Sequence, residues 1–222
     1  MFESGFQTIA CFLCFHHDFF REEPGSFDPG RIVKRGEGMQ GPTLDLGGGV
    51  GVDYVGGATP DFTNYGVLVK RIFQDKGFNL GFEPGRAIVA HNGVLLSEVI
   101  YVKQSENKRF IIVDAAMNDL IRPTLYEAHH NIEPLKDIGP ATGLADVVGP
   151  VCETADSFGA GFEVNATSGD FLAVYSAGAY GSSMGSNYNT RLKPAEILVD
   201  EENHKVIRKA ETFDDLIKEE EI

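Results

Sequence analysis

Hydrophobic residues in the second half of the chain follow the two-residue alternation, or the short apolar runs, of β-strands. Six segments between turn residues have this pattern: "GVLLSEVIYVKQ" (93–104), "KRFIIVDAA" (108–116), "ADVVGPV" (145–151), "GDFLAVYSAG" (169–178), "PAEILVD" (194–200) and "HKVIRKA" (204–210). One stretch, "DLIRPTLYEAHH", predicts a short helical turn after Pro123. The pattern predicts an antiparallel β domain that ends in an acidic helix with Thr212 as its N-cap.

Strand-like and helix-like patterns alternate between residues 43 and 92. "TLDLG" is a short apolar strand, and "FNLGFEPG" is a second one that closes on a Pro-Gly turn. Between them, "DFTNYGVLVKRIFQDKG" places apolar residues at helical spacing as far as a stop at Gly77. The chain therefore divides into an irregular segment (1–42), an α/β piece (43–92) and a β domain with its terminal helix (93–222).

The charge balance argues against two classes of partner. The 222-residue chain carries 33 Asp and Glu against 19 Lys and Arg, a formal net charge of −14. Such a surface repels phosphate backbones and anionic lipids, so we expect neither nucleic acid nor a membrane as a partner. Three cysteines form no disulfide framework, and the apolar stretch near the start is too short to span a bilayer. A cytoplasmic protein is the expectation.

Two glycine-rich turns follow the strands of the α/β piece and are candidates for binding a phosphate. "LDLGGGVG" (44–51) lets backbone N–H groups approach an anion closely, although its spacing is not the dinucleotide fingerprint. Glu83, Pro84, Gly85 and Arg86 form a second turn, which can open a helix. Two successive turns of this kind match the phosphate site of a β/α barrel. The alternatives are a flexible turn and a surface ion pair between Arg86 and Glu83.

Arg122 and Tyr126 lie four residues apart in the predicted helical turn and would face the same way. Arginine binds a carboxylate in a bidentate pair, and tyrosine can add a third hydrogen bond; the alternative is a solvated helix. Tyr180 stands at a strand end, where an aromatic ring can reach a ligand or can be buried under a loop. His129 and His130 have no partner cluster and are assigned to the surface.

The stretch "GPVCETAD" (149–156) puts Cys152 directly before Glu153. A neighbouring carboxylate disfavours the thiolate, so the pair argues against a nucleophilic cysteine. The residues alone leave open what a protonated thiol is for.

A metal site near the start is a weaker alternative. "CFLCFHHDF" contains side chains of the types that bind zinc: Cys11, Cys14, His16, His17 and Asp18. A structural zinc site needs four well-spaced ligands, and the interleaved Phe and Leu residues are typical of a core. We therefore expect no metal, with a small metal-binding domain at residues 1–20 as the alternative.

Five stretches together resemble motifs of the diaminopimelate decarboxylase family, whose members use pyridoxal 5'-phosphate (PLP) and have the alanine-racemase-like fold. They are "LDLGGGVG", "EPGRAIVA", "VDAAMNDLIRPTLYEA", "VVGPVCETAD" and "SAGAYGSSMGSNYNTR", in family order between about Thr43 and Leu216. Relatives that act on ornithine or arginine usually have Asp after this cysteine and lack "NDLIRPTLYEA". The resemblance implies the C-terminal end of a PLP-binding (β/α)8 barrel, incomplete, followed by an antiparallel β-sandwich or barrel domain.

The resemblance also implies roles in the conversion of meso-diaminopimelate to L-lysine and CO2. The residues that would hold PLP are Gly48, Gly49, Glu83, Pro84, Gly85, Arg86 and Tyr180. The residues that would bind the substrate are Arg86, Arg122, Tyr126, Glu153 and Tyr180. Cys152 would be the proton donor, and Cys152 and Glu153 would enter the active site of the partner subunit in a homodimer.

The resemblance stops ahead of Thr43. The family's PLP-linking lysine lies on an early barrel strand, and neither Lys34 nor "CFHHDF" resembles the family's strands there. A whole barrel takes roughly 250 residues, so we expect a truncated chain that is inactive by itself. The alternative is a non-catalytic, decarboxylase-like interaction protein that pairs with a full-length enzyme.

Overall fold

The structure is a computed structural model that describes residues 43–55, 60–141 and 143–221, together with the backbone of residues 11–15 and 31–33. The chain divides into two compact units. The larger unit comprises Met1–His16 and His91–Ile222, and the smaller unit comprises His17–Ala90. Of the helices that these residues form, none combines the length and the apolar composition needed to cross a bilayer.

The smaller unit contains a three-stranded sheet in the order β2–β3–β4. Its elements are β2 (Arg31–Val33), β3 (Thr43–Asp45), α1 (Phe62–Phe73), β4 (Asn79–Gly81) and α2 (Gly85–Val89). Asp61 caps α1, and the helix packs Tyr65, Val69 and Phe73, spaced by four, against Leu44 of β3. Because β3 and β4 are parallel and α1 connects them, this is the strand–helix–strand unit from which β/α barrels are built.

The larger unit is a nine-stranded sheet followed by a capped helix. Its elements are β1 (Cys11–Phe15), β5 (Gly93–Gln104), β6 (Arg109–Val113), α3 (Arg122–Tyr126), β7 (Ile132–Pro134), β8 (Ala145–Val148), β9 (Ser157–Phe162), β10 (Phe171–Val174), β11 (Ala195–Asp200), β12 (Asn203–Arg208) and α4 (Phe213–Ile217). The main strand order is β12–β11–β1–β5–β6–β8–β9, with β10 pairing β5 and β7.

Strand β5 organises this sheet. It pairs with β1 and β10 along its first half and with β6 along its second half. Its inward residues Leu95 and Val99 are fully buried in a core shared with Ile111 and Leu172. Most strand pairs are antiparallel, but β1–β11 and β6–β8 are parallel.

The predicted fold class is confirmed, with four strands that the sequence pattern did not predict. β1 and β2 lie in the segment that we expected to be irregular, so that expectation is wrong for these two strands. β7 has three residues and ends in proline, which hides it from pattern reading. β9 is interrupted by Gly159 and Gly161, both with positive φ, which removes the alternation of a typical strand.

Candidate active site

The predicted site residues lie in both units. The glycine loop and the turn from Glu83 to Arg86 belong to the smaller unit. The larger unit contains the other predicted side chains: Arg122, Tyr126, Cys152, Glu153 and Tyr180.

In the smaller unit, the glycine loop after β3 contacts the turn after β4. The Glu83 N–H donates to the Gly47 carbonyl oxygen at 2.7 Å, and a Cβ on Gly48 would lie 2.3 Å from the Glu83 carbonyl oxygen. Gly47 and Gly49 have φ of 72° and 73°, in the left-handed region that favours glycine. Any side chain at position 48 would therefore push the two turns apart.

The second turn opens α2, as predicted, and places Arg86 in its first turn, half-buried. The ion pairs of the described residues do not include Arg86 with Glu83, so that alternative is wrong. Backbone N–H groups of a glycine loop and a nearby guanidinium are groups that bind phosphate. The residues present therefore fit a phosphate group.

A largely apolar cavity adjoins the glycine loop. Its volume is about 340 Å³, and its lining residues are Gly47, Val50, Phe62, Tyr65, Phe82, Pro84 and Ile88. Tyr65 and Phe82 meet edge to face, with ring centroids 6.0 Å apart. The loop that fits a phosphate thus borders space that an aromatic group can occupy.

In the larger unit, Cys152 and Glu153 lie on the loop between β8 and β9, and Asp156 fixes the base of that loop. The Asp156 carboxylate accepts hydrogen bonds from the N–H groups of Val151 and Met117, both at 2.7 Å. Asp156 is 3% exposed, and burial raises its pKa. The Cys152 thiol is free and exposed. A buried carboxylate therefore holds an outward-facing thiol in place.

The Glu153 carboxylate accepts a hydrogen bond from the Tyr188 hydroxyl, and this bond raises the pKa of Tyr188. Tyr188 begins a single 3-10 turn in which Asn189 and Thr190 have φ of 59° and 56°. The sequence reasoning missed Tyr188, although it lies in one of the motif stretches. A tyrosine directly before an asparagine, which tolerates the left-handed region, is the local signal.

Helix α3 forms where a helical turn was predicted, but its two candidate side chains have different surroundings. Arg122 is 6% exposed and Tyr126 is 62% exposed. The solvated-helix alternative is therefore wrong for Arg122. The Thr124 hydroxyl donates to the Ala155 carbonyl at 2.7 Å, which ties α3 to the loop of Cys152.

His130 is not at the surface, and its assignment there is wrong. It is fully buried; its Nε2 lies 2.9 Å from Arg122 Nη1, and its Nδ1 lies 2.8 Å from the Tyr175 carbonyl oxygen. Burial lowers the pKa of His130 to about 4, and the Arg122 guanidinium acts in the same direction. His129, by contrast, is exposed and stacks on Phe162. Nothing in "EAHHN" distinguishes the buried histidine from the exposed one.

Tyr180 is half exposed, so the buried-tyrosine alternative is wrong. Its φ is 64°, a conformation that bulky residues rarely adopt and that occurs often at functional sites. The loop ahead of it is anchored on β5: the Ala177 N–H donates to the Gly93 carbonyl at 2.8 Å. A Cβ on Gly93 would lie 2.4 Å from Gly178 Cα, so the two backbones touch.

A buried polar turn joins these segments. Asn118 accepts a hydrogen bond from the Ser186 N–H at 2.9 Å through its carbonyl, and its side chain accepts from Arg191 Nε at 3.0 Å. The neighbouring Asp119 is 1% exposed, and burial raises its pKa to about 6. This turn connects the segment before α3 to the segment that carries Tyr188.

The metal-site alternative concerns residues 11–18, whose side chains lie outside the described part of the chain. Elsewhere, within the described residues, no cluster of His, Cys, Asp and Glu could hold a metal ion.

The chain belongs to the pyridoxal-dependent decarboxylase family, since residues 14–178 match the family described as "Pyridoxal-dependent decarboxylase, C-terminal sheet domain". Its relatives include diaminopimelate decarboxylases. That of Neisseria meningitidis serogroup B is 46% identical over 178 residues, which are 80% of this chain and 43% of the relative. The chain thus spans less than half the length of the curated relatives that it matches.

Solved structures agree with the sequence match. Diaminopimelate decarboxylase from Helicobacter pylori, complexed with L-lysine, matches with a TM-score of 0.73 and 42% identity over 78% of this chain and 43% of that one. Arginine decarboxylase of the Paramecium bursaria Chlorella virus matches with a TM-score of 0.60 and 19% identity over 70% of this chain and 43% of that one, so it shares the fold alone. The resemblance drawn from the five sequence motifs is confirmed, but the expectation that it stops ahead of Thr43 is wrong, because the family match begins at residue 14.

Proposed function

We propose that this chain supplies the sheet domain, and the adjoining end of the barrel, of a PLP-dependent diaminopimelate decarboxylase. The reaction removes CO2 from meso-diaminopimelate and yields L-lysine. One observation carries the proposal: hydrogen bonds join α3 and the loop of residues 149–156 into one body that carries Arg122, Cys152 and Glu153. The 46% identity to a diaminopimelate decarboxylase supports the choice of substrate.

The charges of these side chains match the far end of the substrate. That end of meso-diaminopimelate is itself an amino acid, with one carboxylate and one ammonium group. Arg122 would bind the carboxylate with its planar fork of donors, and the Tyr126 hydroxyl would add a further hydrogen bond. Glu153, oriented by Tyr188, would bind the ammonium of the substrate in the partner's active site. A substrate with a purely cationic tail offers no carboxylate for Arg122 to bind.

The smaller unit would hold the cofactor. Gly48, Gly49 and the turn from Glu83 to Arg86 would bind the PLP phosphate through backbone N–H groups and the guanidinium. When bound, PLP supplies an electron sink for the electron pair of the C–C bond that breaks as CO2 leaves. The close contact between Gly48 and Glu83 supports this role, because it keeps the two turns together.

Cys152 would return a proton to the carbon that CO2 has left. A thiol S–H is a suitable general acid when it is fixed within reach of that carbon. We also propose a homodimer in which Cys152 and Glu153 enter the partner's active site; their exposed side chains on an anchored loop support this.

A chimera tests the proposal. The matching part of the Neisseria meningitidis enzyme is replaced by residues 43–221 of this chain, and L-lysine and CO2 formed from meso-diaminopimelate are measured. We expect the chimera to be active and Cys152→Ala to abolish formation of L-lysine. Glu153→Gln should raise KM for the substrate about tenfold, which corresponds to about 1.4 kcal/mol of lost ammonium binding.

Glu163→Gln is the matched control, because it removes one exposed carboxylate outside the loop of residues 149–156. Its KM should stay within about twofold of the parent, as expected for a surface change. A chimera that acts on L-ornithine or L-arginine in preference to meso-diaminopimelate would contradict the proposal.

A further inference from the structure

His130 lies between the predicted substrate-binding arginine and the sheet. Its Nε2 contacts Arg122 Nη1 at 2.9 Å, and its Nδ1 contacts the Tyr175 carbonyl oxygen at 2.8 Å. The imidazole is fully buried, so no solvent reaches either contact. This histidine therefore connects the first residue of α3 to the end of β10.

The two contacts of His130 are compatible with one tautomer of its imidazole. Guanidinium groups only donate, so His130 Nε2 must offer its lone pair to Arg122. The Tyr175 carbonyl only accepts, so His130 Nδ1 carries the proton. Burial lowers the pKa of His130 to about 4, which keeps the imidazole neutral at neutral pH.

The backbone fixes the position of the Tyr175 carbonyl that His130 contacts. The Tyr175 N–H donates to the Asn131 carbonyl at 2.9 Å, next to the pairing of β7 with β10. Because His130 directly precedes Asn131, the backbone hydrogen bond between Asn131 and Tyr175 also keeps the His130 ring beside the Tyr175 carbonyl. A hydrogen bond from this ring to Nη1 sets the plane of the Arg122 guanidinium, whose five N–H donors lie in one rigid fork.

We propose that His130 is a positioning residue, which aims the Arg122 guanidinium at the carboxylate on the far end of the substrate. The inference rests on the proposed function, since it assigns Arg122 to that carboxylate. His130 does not touch substrate or cofactor in this role. His130 offers a fixed hydrogen-bond acceptor to one N–H group of Arg122. This hydrogen bond orients the other N–H donors of the guanidinium.

Two substitutions separate the acceptor from the rest of the ring. Asn can reproduce the Nδ1–H donor toward Tyr175, and Gln can reproduce the Nε2 acceptor toward Arg122. In the chimera, His130→Asn should raise KM for meso-diaminopimelate about 10- to 100-fold, because a buried charged donor loses its acceptor, with kcat within about threefold. His130→Gln should restore KM to within about threefold of the parent. The control His129→Gln, at the exposed neighbour, should leave both constants unchanged.

Inhibitors show whether the change acts through the carboxylate. L-lysine keeps the carboxylate that Arg122 would bind, whereas 1,5-diaminopentane lacks it. The inhibition constant of L-lysine should rise in His130→Asn in parallel with KM, and that of 1,5-diaminopentane should stay constant. Equal effects on both inhibitors, or equal losses in His130→Asn and His130→Gln, would overturn the inference.

A measurement on the 222-residue chain itself needs neither activity nor a variant. Among the described residues, Arg122 from α3 and the neighbouring His129 lower the pKa of His130, and the hydrogen bond to the Tyr175 carbonyl, just after β10, raises it. Long-range proton–nitrogen correlation spectra should show a protonated Nδ1 and a bare Nε2 from pH 5 to pH 8. A protonated Nε2 would overturn the positioning role, whatever the chimera does. A chimera inactive on meso-diaminopimelate, with these spectra as expected, would overturn the proposed function and leave the His130–Arg122 geometry standing.

Discussion

Replacing Asp156 by Ala should destabilise the larger unit and loosen the loop that carries Cys152. The carboxylate accepts two partly buried backbone N–H groups, from Val151 and Met117. A donor that loses its partner costs about 1–3 kcal/mol, more when the partner is charged. Burial raises the pKa of Asp156, so removing the carboxylate recovers part of its desolvation cost. The expected net loss is about 2–4 kcal/mol.

Urea unfolding measures this loss. The chain has no tryptophan and seven tyrosines, so tyrosine fluorescence and far-ultraviolet circular dichroism follow the transitions. Asp156→Asn retains one acceptor and should lose about half as much as Asp156→Ala. The control is Asp137→Asn, since Asp137 is exposed and accepts only the Gly139 N–H among the described residues, at 2.9 Å. A loss under about 0.5 kcal/mol in Asp156→Ala, no more than a surface change causes, would refute the reasoning.

Three further predictions concern other parts of the chain. Gly48→Ala should destabilise the smaller unit by about 1–3 kcal/mol in urea, because its Cβ would lie 2.3 Å from the Glu83 carbonyl oxygen. Burial raises the pKa of Asp119 to about 6 from 3.8, so the folded state binds a proton that the unfolded state releases. The contribution of Asp119 to stability should therefore fall as pH rises from about 4 to 6. Asp119→Asn should remove about 2 kcal/mol from the difference between the unfolding free energies measured in urea at these two pH values. Thr212→Ala removes the capping box of α4 and should expose its amides to faster hydrogen exchange, at a cost of about 1 kcal/mol.

Each of these three predictions has an outcome that would contradict it. Gly51→Ala is the control for Gly48, because nothing lies within 4 Å of its Cβ, and equal losses in the two variants would show that the contact with Glu83 is unimportant. For Asp119, parallel pH profiles of the parent and the Asn variant would contradict the raised pKa. For α4, unchanged exchange rates would show that Thr212 does not hold the first turn.

Most of the fold could be predicted from local patterns in the sequence. β5 was predicted with its observed bounds because its residues alternate between core and surface, and α1 because Tyr65, Val69 and Phe73 repeat at helical spacing. β1 was missed because it pairs with β11, a strand distant along the chain, and β9 because Gly159 and Gly161 interrupt its alternation. Propensity and periodicity are local, and long-range pairing overrides them.

Only part of the candidate site could be predicted from the sequence. Residues in recognisable motifs, such as Arg122 and Cys152, were identified from the sequence, and their roles stay predictions. The residues that hold them were not. Asp156 stands in a quoted motif without an evident task, and His130 is one of two adjacent histidines with opposite surroundings. A supporting residue is defined by what it touches across the fold, and no spacing along the chain expresses that.

The pairing of β1 between β5 and β11 has a consequence for the order of folding. Cys11 pairs with Ala195, almost the whole chain away, and the entire smaller unit is inserted between β1 and β5. During synthesis β1 emerges well before β11, one of its two neighbours. Its unpaired edge must wait, which favours slow folding of high contact order and leaves time for association with other chains. The compact strand–helix–strand unit, whose contacts are local, can form first.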